Sequence, residues 1–114
     1  VSRVLEIKNT SDLDFILNIY TAKNKFVRSC VIKSGYVVQI EQLPNILTHI
    51  NLTAGTQWNG GKEYKTSDVI GGFEDSKGFY SLDLSKTNGW PFSLSDTLLK
   101  SIPKLTEAEF FKRD

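Results

Sequence analysis

Alternation of apolar and polar residues along the first half of the chain constrains its fold more than any other feature. In residues 13–21, for example, Phe15, Leu17 and Ile19 occupy every second position. A period of two is the spacing of a β-strand with one buried face, whereas an amphipathic helix repeats every 3.6 residues. Turn-forming residues interrupt the pattern about every ten residues, which is the rhythm of all-β sandwiches and barrels.

The chain is therefore predicted to be one domain, residues 1–114, folded as an all-β antiparallel sandwich of about seven strands. Strands are expected near residues 3–8, 13–21, 26–33, 36–41, 46–53, 79–84 and 91–102, with a short strand or crossing at 69–73. The residues on the apolar phase of these strands are predicted to be largely buried: Leu5, Ile7, Phe15, Leu17, Ile19, Phe26, Cys30, Ile32, Val38, Ile40, Ile50 and Leu52.

Helix is expected only within the last dozen residues or in the long segment that follows Gly55. Thr106 and Glu109 have the spacing of a capping box, in which each residue satisfies a backbone N–H near the start of a helix. A short C-terminal helical turn is therefore predicted to begin there.

Composition narrows the class of protein. A chain of 114 residues can build a core without covalent staples, and its single cysteine, Cys30, excludes an intrachain disulfide. The formal net charge of +1 argues against nucleic acid as a partner, because that partner requires clustered positive charge. No apolar stretch approaches the ~20 residues that a membrane-spanning helix needs. The chain begins at Val1 and has no methionine, so we expect a processed product or a domain excised from a larger protein.

Residues 56–78 are predicted to form a long polar loop, rich in glycine, that packs across one end of the sandwich. Compact domains seldom keep such a loop without a use. The candidate ligand-binding residues lie in it: Trp58, Asn59, Tyr64, Asp68 and Glu74. Trp58 has two interpretations, a platform on which a sugar ring stacks or a plug that closes the core. An exposed Trp58 would favour glycan binding, and a buried one would favour a structural spacer domain.

The sequence contains no catalytic motif, and no enzyme activity, cofactor or metal site is predicted. His49 lacks a second histidine or a cysteine at a usable spacing, and we expect it to be solvated. Acidic residues at 68–75 could supply oxygen ligands to calcium, but they do not form a D-x-D-x-D-G run. Residues 9–11 and 51–53 match the glycosylation acceptor pattern, which matters only in a eukaryotic secreted protein.

Four short motifs carry a resemblance to known domains. Residues 43–45, Leu-Pro-Asn, precede an alternating strand and resemble the entry to carboxypeptidase-regulatory-like and transthyretin-like β-sandwiches. Together with Gly-x-x-Trp-Asn at 55–59, Gly-Gly-Phe-Glu at 71–74 and the acidic, paired-aromatic run at 107–111, they resemble an uncharacterised β-sandwich domain of Bacteroidota proteins. The chain departs from that pattern at 46–47, where Ile-Leu replaces Gly and Tyr, and at Ala54, where the pattern usually has an aromatic residue.

This resemblance implies a non-catalytic binding or interaction module of a larger bacterial protein, in an extracytoplasmic setting and attached to other domains. It supplies no binding residues. The alternatives are a carbohydrate-binding module that uses loop aromatics and a structural spacer domain, and the expected partner is a protein or a glycan.

Overall fold

The computed structural model describes residues 3–21, 25–43, 47–63, 71–83 and 92–111. These residues form eight strands, one more than predicted, and two short helices. In chain order the elements are β1 Arg3–Asn9, β2 Asp14–Thr21, β3 Phe26–Ile32, β4 Val37–Leu43, β5 Leu47–Asn59, β6 Gly72–Asp83, β7 Phe92–Leu94, α1 Asp96–Ser101, β8 Lys104–Leu105 and α2 Glu107–Phe111.

The strands form two sheets. The larger sheet is antiparallel throughout, with the order β3-β2-β5-β6-β8. The smaller has the order β4-β1-β7, and in it β1 runs antiparallel to β4 but parallel to β7. The prediction of β-strands is thus confirmed, with one parallel pair that it did not include. A parallel pair needs a long connection instead of a hairpin, so no local turn signal announces it.

One hydrophobic core joins the two sheets. Ile7, Ile40 and Leu94 from the smaller sheet cluster with Leu17 and Ile50 from the larger. Eight of the predicted core residues are buried, each with no more than 4% of its surface exposed: Ile7, Phe15, Leu17, Ile19, Ile32, Ile40, Ile50 and Leu52. Alternation therefore identified the buried face of the long strands correctly.

Three predicted core residues, Phe26, Cys30 and Val38, are only partly buried, and the side chain of Leu5 lies outside the described part. A β-bulge explains Phe26, because Ile19 pairs with Arg28 but Tyr20 pairs with Phe26. The extra residue moves Phe26 to the face of Tyr20, where the two ring centroids are 5.9 Å apart. Val27, which was not among the predicted core residues, packs against the core instead.

The loop predicted at 56–78 is wrong for residues 56–59 and 72–78. Strand β5 continues to Asn59 and β6 begins at Gly72, so these residues pair in an antiparallel hairpin. The pairing shifts register between Ala54 and Gly55, and Gly78 has a φ of 132°. Beyond this bulge both strands leave the core, and their polar side chains are consistent with exposure. Residues 64–70 lie outside the described part.

The strand predicted at 91–102 is also wrong beyond residue 94, because α1 occupies Asp96–Ser101. Ser95 caps this helix, and its hydroxyl accepts a hydrogen bond from the Leu98 backbone N–H at 3.2 Å. Leu99 is buried, and Leu98 and Ile102 pack partly against the core. This helix lies before the last dozen residues, to which helix was predicted to be confined outside the long segment, so that prediction is wrong here as well.

The C-terminal helical turn is confirmed as α2. The Thr106 N–H donates to Glu109 Oε1 at 2.9 Å, and the Glu109 N–H donates to Thr106 Oγ1 at 3.1 Å. These reciprocal bonds form the predicted capping box. The backbone and side-chain hydrogen bonds from Thr106 hold the pKa of the Glu109 carboxyl below its usual value.

The two glycosylation sequons are inaccessible in the folded chain. Asn9 is 2% exposed, and its Nδ2 donates to the carbonyl oxygens of Leu13 at 2.8 Å and Ile32 at 3.1 Å. Asn51 is 8% exposed and lies in β5, between two neighbouring strands. Both asparagines are buried, so neither is available for modification without unfolding.

Candidate functional site

A concavity of about 260 Å³ lies on the outer face of the larger sheet. Its floor is formed by Ile16 and Thr53, which pair across β2 and β5, together with Ser29 and Phe79 from the flanking strands. These residues alternate along their strands with core residues, so they face away from the core. The concavity lies between the end of the β5–β6 hairpin and α2.

Two aromatic rings of α2 form one wall and pack against Phe79 of the floor. The centroids of Phe110 and Phe111 lie 5.2 Å and 6.2 Å from the Phe79 ring, and 5.1 Å from each other. Phe110 is only 1% exposed, whereas Phe111 is partly buried. Phe110 therefore anchors the helix on the sheet, and Phe111 presents apolar surface to the concavity.

Trp58 forms the opposite wall. It lies on β5 directly across from Phe73, and the two rings meet edge to face with centroids 5.6 Å apart. A Cβ added at Gly71 would lie 3.0 Å from the indole ring, so only glycine leaves room for the ring at this distance. Trp58 is nevertheless 50% exposed. It is thus fixed by Phe73 and Gly71 on a strand, and is neither a fully buried plug nor a residue of a loop.

Asn59 and Glu74 lie beside Trp58 at the end of the hairpin but do not line the concavity. Asn59 Nδ2 donates to Glu74 Oε1 at 2.6 Å, and Asn59 Oδ1 accepts from the Gly61 N–H at 2.9 Å. Both residues are exposed, so their remaining hydrogen-bonding capacity faces solvent. Tyr64 and Asp68 lie outside the described residues. The structure therefore brings three of the five candidate residues together at one edge.

Lys62 and the C-terminal aromatic residues were not among the predicted site residues. Lys62 Nζ donates to the Phe73 carbonyl at 2.6 Å, and its own carbonyl accepts from the Gly71 N–H at 2.8 Å. Lys62 thereby ties the hairpin connection to β6 beside Trp58. The signal for Phe110 and Phe111 was their position directly after the capping box, but nothing in the sequence indicated which face of a sheet they would cover.

Asn18 lies on the same outer face, paired with Ser29 on one side and Asn51 on the other. Its side chain is fully buried, and neither Oδ1 nor Nδ2 has a hydrogen-bond partner among the described residues. A buried polar group without a partner costs about 1–3 kcal/mol. Asn18 therefore lowers the free energy of unfolding, at a position next to the floor of the concavity.

We expect Asn18→Leu to raise the free energy of unfolding by roughly 1–3 kcal/mol, because it replaces the uncompensated amide with an apolar group of the same branched shape. Asn18→Asp is the matched variant and should destabilise the chain, because it buries a charge at the same position. Urea denaturation of both variants measures the effect. Loss of stability in Asn18→Leu would show that the amide makes a hydrogen bond in solution.

His49 was predicted to be solvated, but it is partly buried and stacks on Tyr20, with ring centroids 4.8 Å apart and planes 8° apart. Burial lowers the pKa of its imidazole below the ordinary 6.5. The carboxylate of Asp83, which pairs with His49 from the neighbouring strand β6, opposes this shift. Desolvation penalises the charged form, so it dominates here.

Because His49 is the single histidine of the chain, its ring protons can be followed by NMR without overlap from another histidine. We expect the His49 ring protons to titrate with a midpoint below 6.5, and Asp83→Asn to lower that midpoint further because it removes the opposing charge. The unfolded chain binds this proton at a higher pH than the folded chain does. His49 therefore contributes to the free energy of unfolding above pH 6.5, and this contribution is lost as the pH falls through the lowered pKa. A midpoint at or above 6.5 would contradict the desolvation argument.

The described residues contain no cluster of three or more histidine, cysteine or acidic side chains that could hold a metal ion. Of the acids considered for calcium, Asp75 pairs with Lys77 at 3.0 Å and Glu74 bonds Asn59, while Asp68 lies outside the described part. Neither α1 nor α2 has the length or apolar character to cross a membrane.

The chain was also compared with known proteins. Neither protein-family models nor curated protein sequences nor solved structures give a match.

Proposed function

We propose that this chain is a non-catalytic binding or interaction module, a β-sandwich domain of a larger bacterial protein, whose ligand occupies the concavity beside Trp58. The observation that carries the proposal is the state of Trp58, which is held by Phe73 and Gly71 and yet exposes half of its surface. An exposed large aromatic residue with a fixed orientation is a common centre of binding energy.

The anchoring of Trp58 favours binding because it reduces the entropic cost. A side chain already restricted by its neighbours loses little conformational freedom when a ligand stacks on it. The close contact at Gly71 and the perpendicular Phe73 ring restrict the indole in this way. Trp58 is therefore the residue whose removal should weaken binding most.

The size of the concavity limits the ligand. Its 260 Å³ is slightly below the range of about 300–1,000 Å³ that holds most small-molecule ligands. A single ring or one side chain of a partner protein fits this volume better than a large cofactor. The aromatic walls suit the apolar face of that group, and Ser29 and Thr53 on the floor can bond a polar substituent.

The ionisable residues that line the concavity, within the described part, are Lys62 and Glu107. The Lys62 ammonium already donates to the Phe73 carbonyl, which gives it a positioning role in the hairpin. This role of Lys62 in the fold supports binding over acid–base catalysis, in which the titratable group must lie within hydrogen-bond reach of the proton that it transfers.

Carbohydrate binding is the second candidate, and the exposed half of Trp58 favours it, because a sugar ring can stack its apolar face on an exposed indole. The pair Asn59–Glu74 does not contribute to this site, since it alternates with Trp58 and Phe73 along the strands and projects from the other face of the hairpin. A spacer domain is the remaining alternative, in which a neighbouring domain covers Trp58. The extracytoplasmic setting and the bacterial origin rest on the sequence resemblance to the Bacteroidota domain.

The test is glycan-array screening followed by calorimetry on the folded chain, with Trp58→Ala as the variant. We expect the variant to lose roughly tenfold or more in affinity for any glycan that binds, which corresponds to about 1.4 kcal/mol. Tyr36→Ala is the matched control, because Tyr36 is 62% exposed and does not line the concavity. Equal losses in both variants, or unchanged affinity in Trp58→Ala, would rule out the stacking role.

A further inference from the structure

We propose that a second concavity, beside α1, binds an anion that carries an apolar body. It has a volume of about 490 Å³, larger than the concavity at Trp58, and the two share no lining residue. The site is thus separate from the proposed function above and does not depend on it.

The floor of this second concavity belongs to the hydrophobic core. Tyr80 and Leu99 are core residues, each 8% exposed, and Leu13 packs against the same cluster. They come from β6, from α1 and from the turn before β2. The cleft therefore opens on the margin of the core where α1 lies against it, and an apolar chain that entered would contact core side chains.

Three lysines surround the same concavity. Lys77, Lys100 and Lys104 line it together with one acid, Asp96. Lys77 also pairs with Asp75, at 3.0 Å. No ion pair is recorded for Lys100 or Lys104 within the described residues, and both side chains are exposed. The lining therefore carries an excess of positive charge in a chain whose formal net charge is only +1.

The lysines converge through the fold, since they belong to three separate elements: β6, α1 and β8. Three lysines scattered over an exposed surface would carry the same charge without forming a binding site. What distinguishes this group is its position around a cleft with an apolar floor, because the two features together match one kind of ligand. A neutral apolar ligand would leave the ammonium groups unused, and a small inorganic anion would leave the floor uncovered.

An aliphatic carboxylate matches both features. Its hydrocarbon chain would cover Leu13, Tyr80 and Leu99, and its carboxylate would lie among the ammonium groups of Lys100 and Lys104. Attraction at exposed charges is modest and is screened by salt, so the apolar contact must supply part of the affinity. Affinity should therefore depend on both the charge and the chain of the ligand.

The experiment is an NMR titration of the folded chain with octanoate and, separately, with octylammonium, which has the same chain length and the opposite charge. We expect saturable shifts from octanoate at Tyr80, Leu99 and Lys104, and binding of octylammonium at least about tenfold weaker. The double variant Lys100→Gln/Lys104→Gln should weaken octanoate binding about fivefold, as two exposed charge contacts would.

Lys8→Gln/Lys33→Gln is the matched control, because it removes the same charge from exposed positions that do not line the concavity. It should change octanoate affinity by less than about twofold. The proposal is overturned by the absence of saturable octanoate shifts, by equal binding of octylammonium, or by equal effects of the two double variants. Each of these outcomes leaves the role of Trp58 untouched, because that role is measured at other residues.

Discussion

Leu17→Ala and Ile50→Ala are each expected to lower the free energy of unfolding by about 2–5 kcal/mol. Both side chains are fully buried on neighbouring strands of the larger sheet, where Leu17 pairs with Leu52 and Ile50 pairs with Ile19. Truncation removes apolar contacts and leaves a cavity that close packing prevents from collapsing. Urea denaturation followed by circular dichroism measures the loss.

Val31→Ala is the control for these core variants, because Val31 lies on the neighbouring strand β3 and is 51% exposed. Its effect should stay within about 0.5 kcal/mol, the usual range for surface substitutions. Losses below about 1 kcal/mol at both core sites would mean that the assigned strand faces are incorrect.

Gly55→Ala is expected to destabilise the chain by about 1–3 kcal/mol or more, through overpacking. A Cβ at this position would lie 2.6 Å from the Asp75 carbonyl oxygen and 2.7 Å from Cβ and Cγ of Phe73. Two of these contacts cannot be relieved by a side-chain rotation, since they involve the backbone of β6 and the Cβ of Phe73. The strands would have to separate at the bulge, which would also disturb Trp58.

Gly60→Ala is the matched control, because its nearest neighbour would be Trp58 Nε1 at 3.8 Å, an ordinary contact distance. We expect it to change the free energy of unfolding by less than about 1 kcal/mol. Thermal or urea denaturation compares the two glycine variants directly. Equal stabilities would show that the hairpin accommodates a side chain at residue 55 by shifting its backbone.

The buried face of the long strands could be predicted because it depends on local alternation. A strand with one face in the core must place its apolar residues at every second position, and residues such as Phe15, Leu17 and Ile19 satisfy this. The capping box at Thr106 could be predicted for the same reason, since both of its hydrogen bonds lie within four consecutive residues. Such features depend only on residues that are close together in the sequence.

Only part of the candidate site could be predicted from local sequence patterns. Trp58, Asn59 and Glu74 were identified as candidates, but they were assigned to a loop because the bulge at Gly55 interrupts the alternation. Phe110 and Phe111 complete the concavity from the far end of the chain, and the only local sign of their role was a short helix. Long-range contacts of this kind depend on how the sheet and the helix pack, which no short pattern encodes.

By itself, the sequence determined that the chain would be built mostly of β-strands, which face of the long strands would be buried, and where the last helix would begin. These properties follow from periodicity and from hydrogen bonds between near neighbours. Only the tertiary structure decided the parallel pairing of β1 with β7, the half-exposed position of Trp58 against Gly71, and the burial of Asn18 without a hydrogen-bond partner among the described residues. Each of these depends on residues distant in the chain, whose contacts are set when the two sheets close on one core.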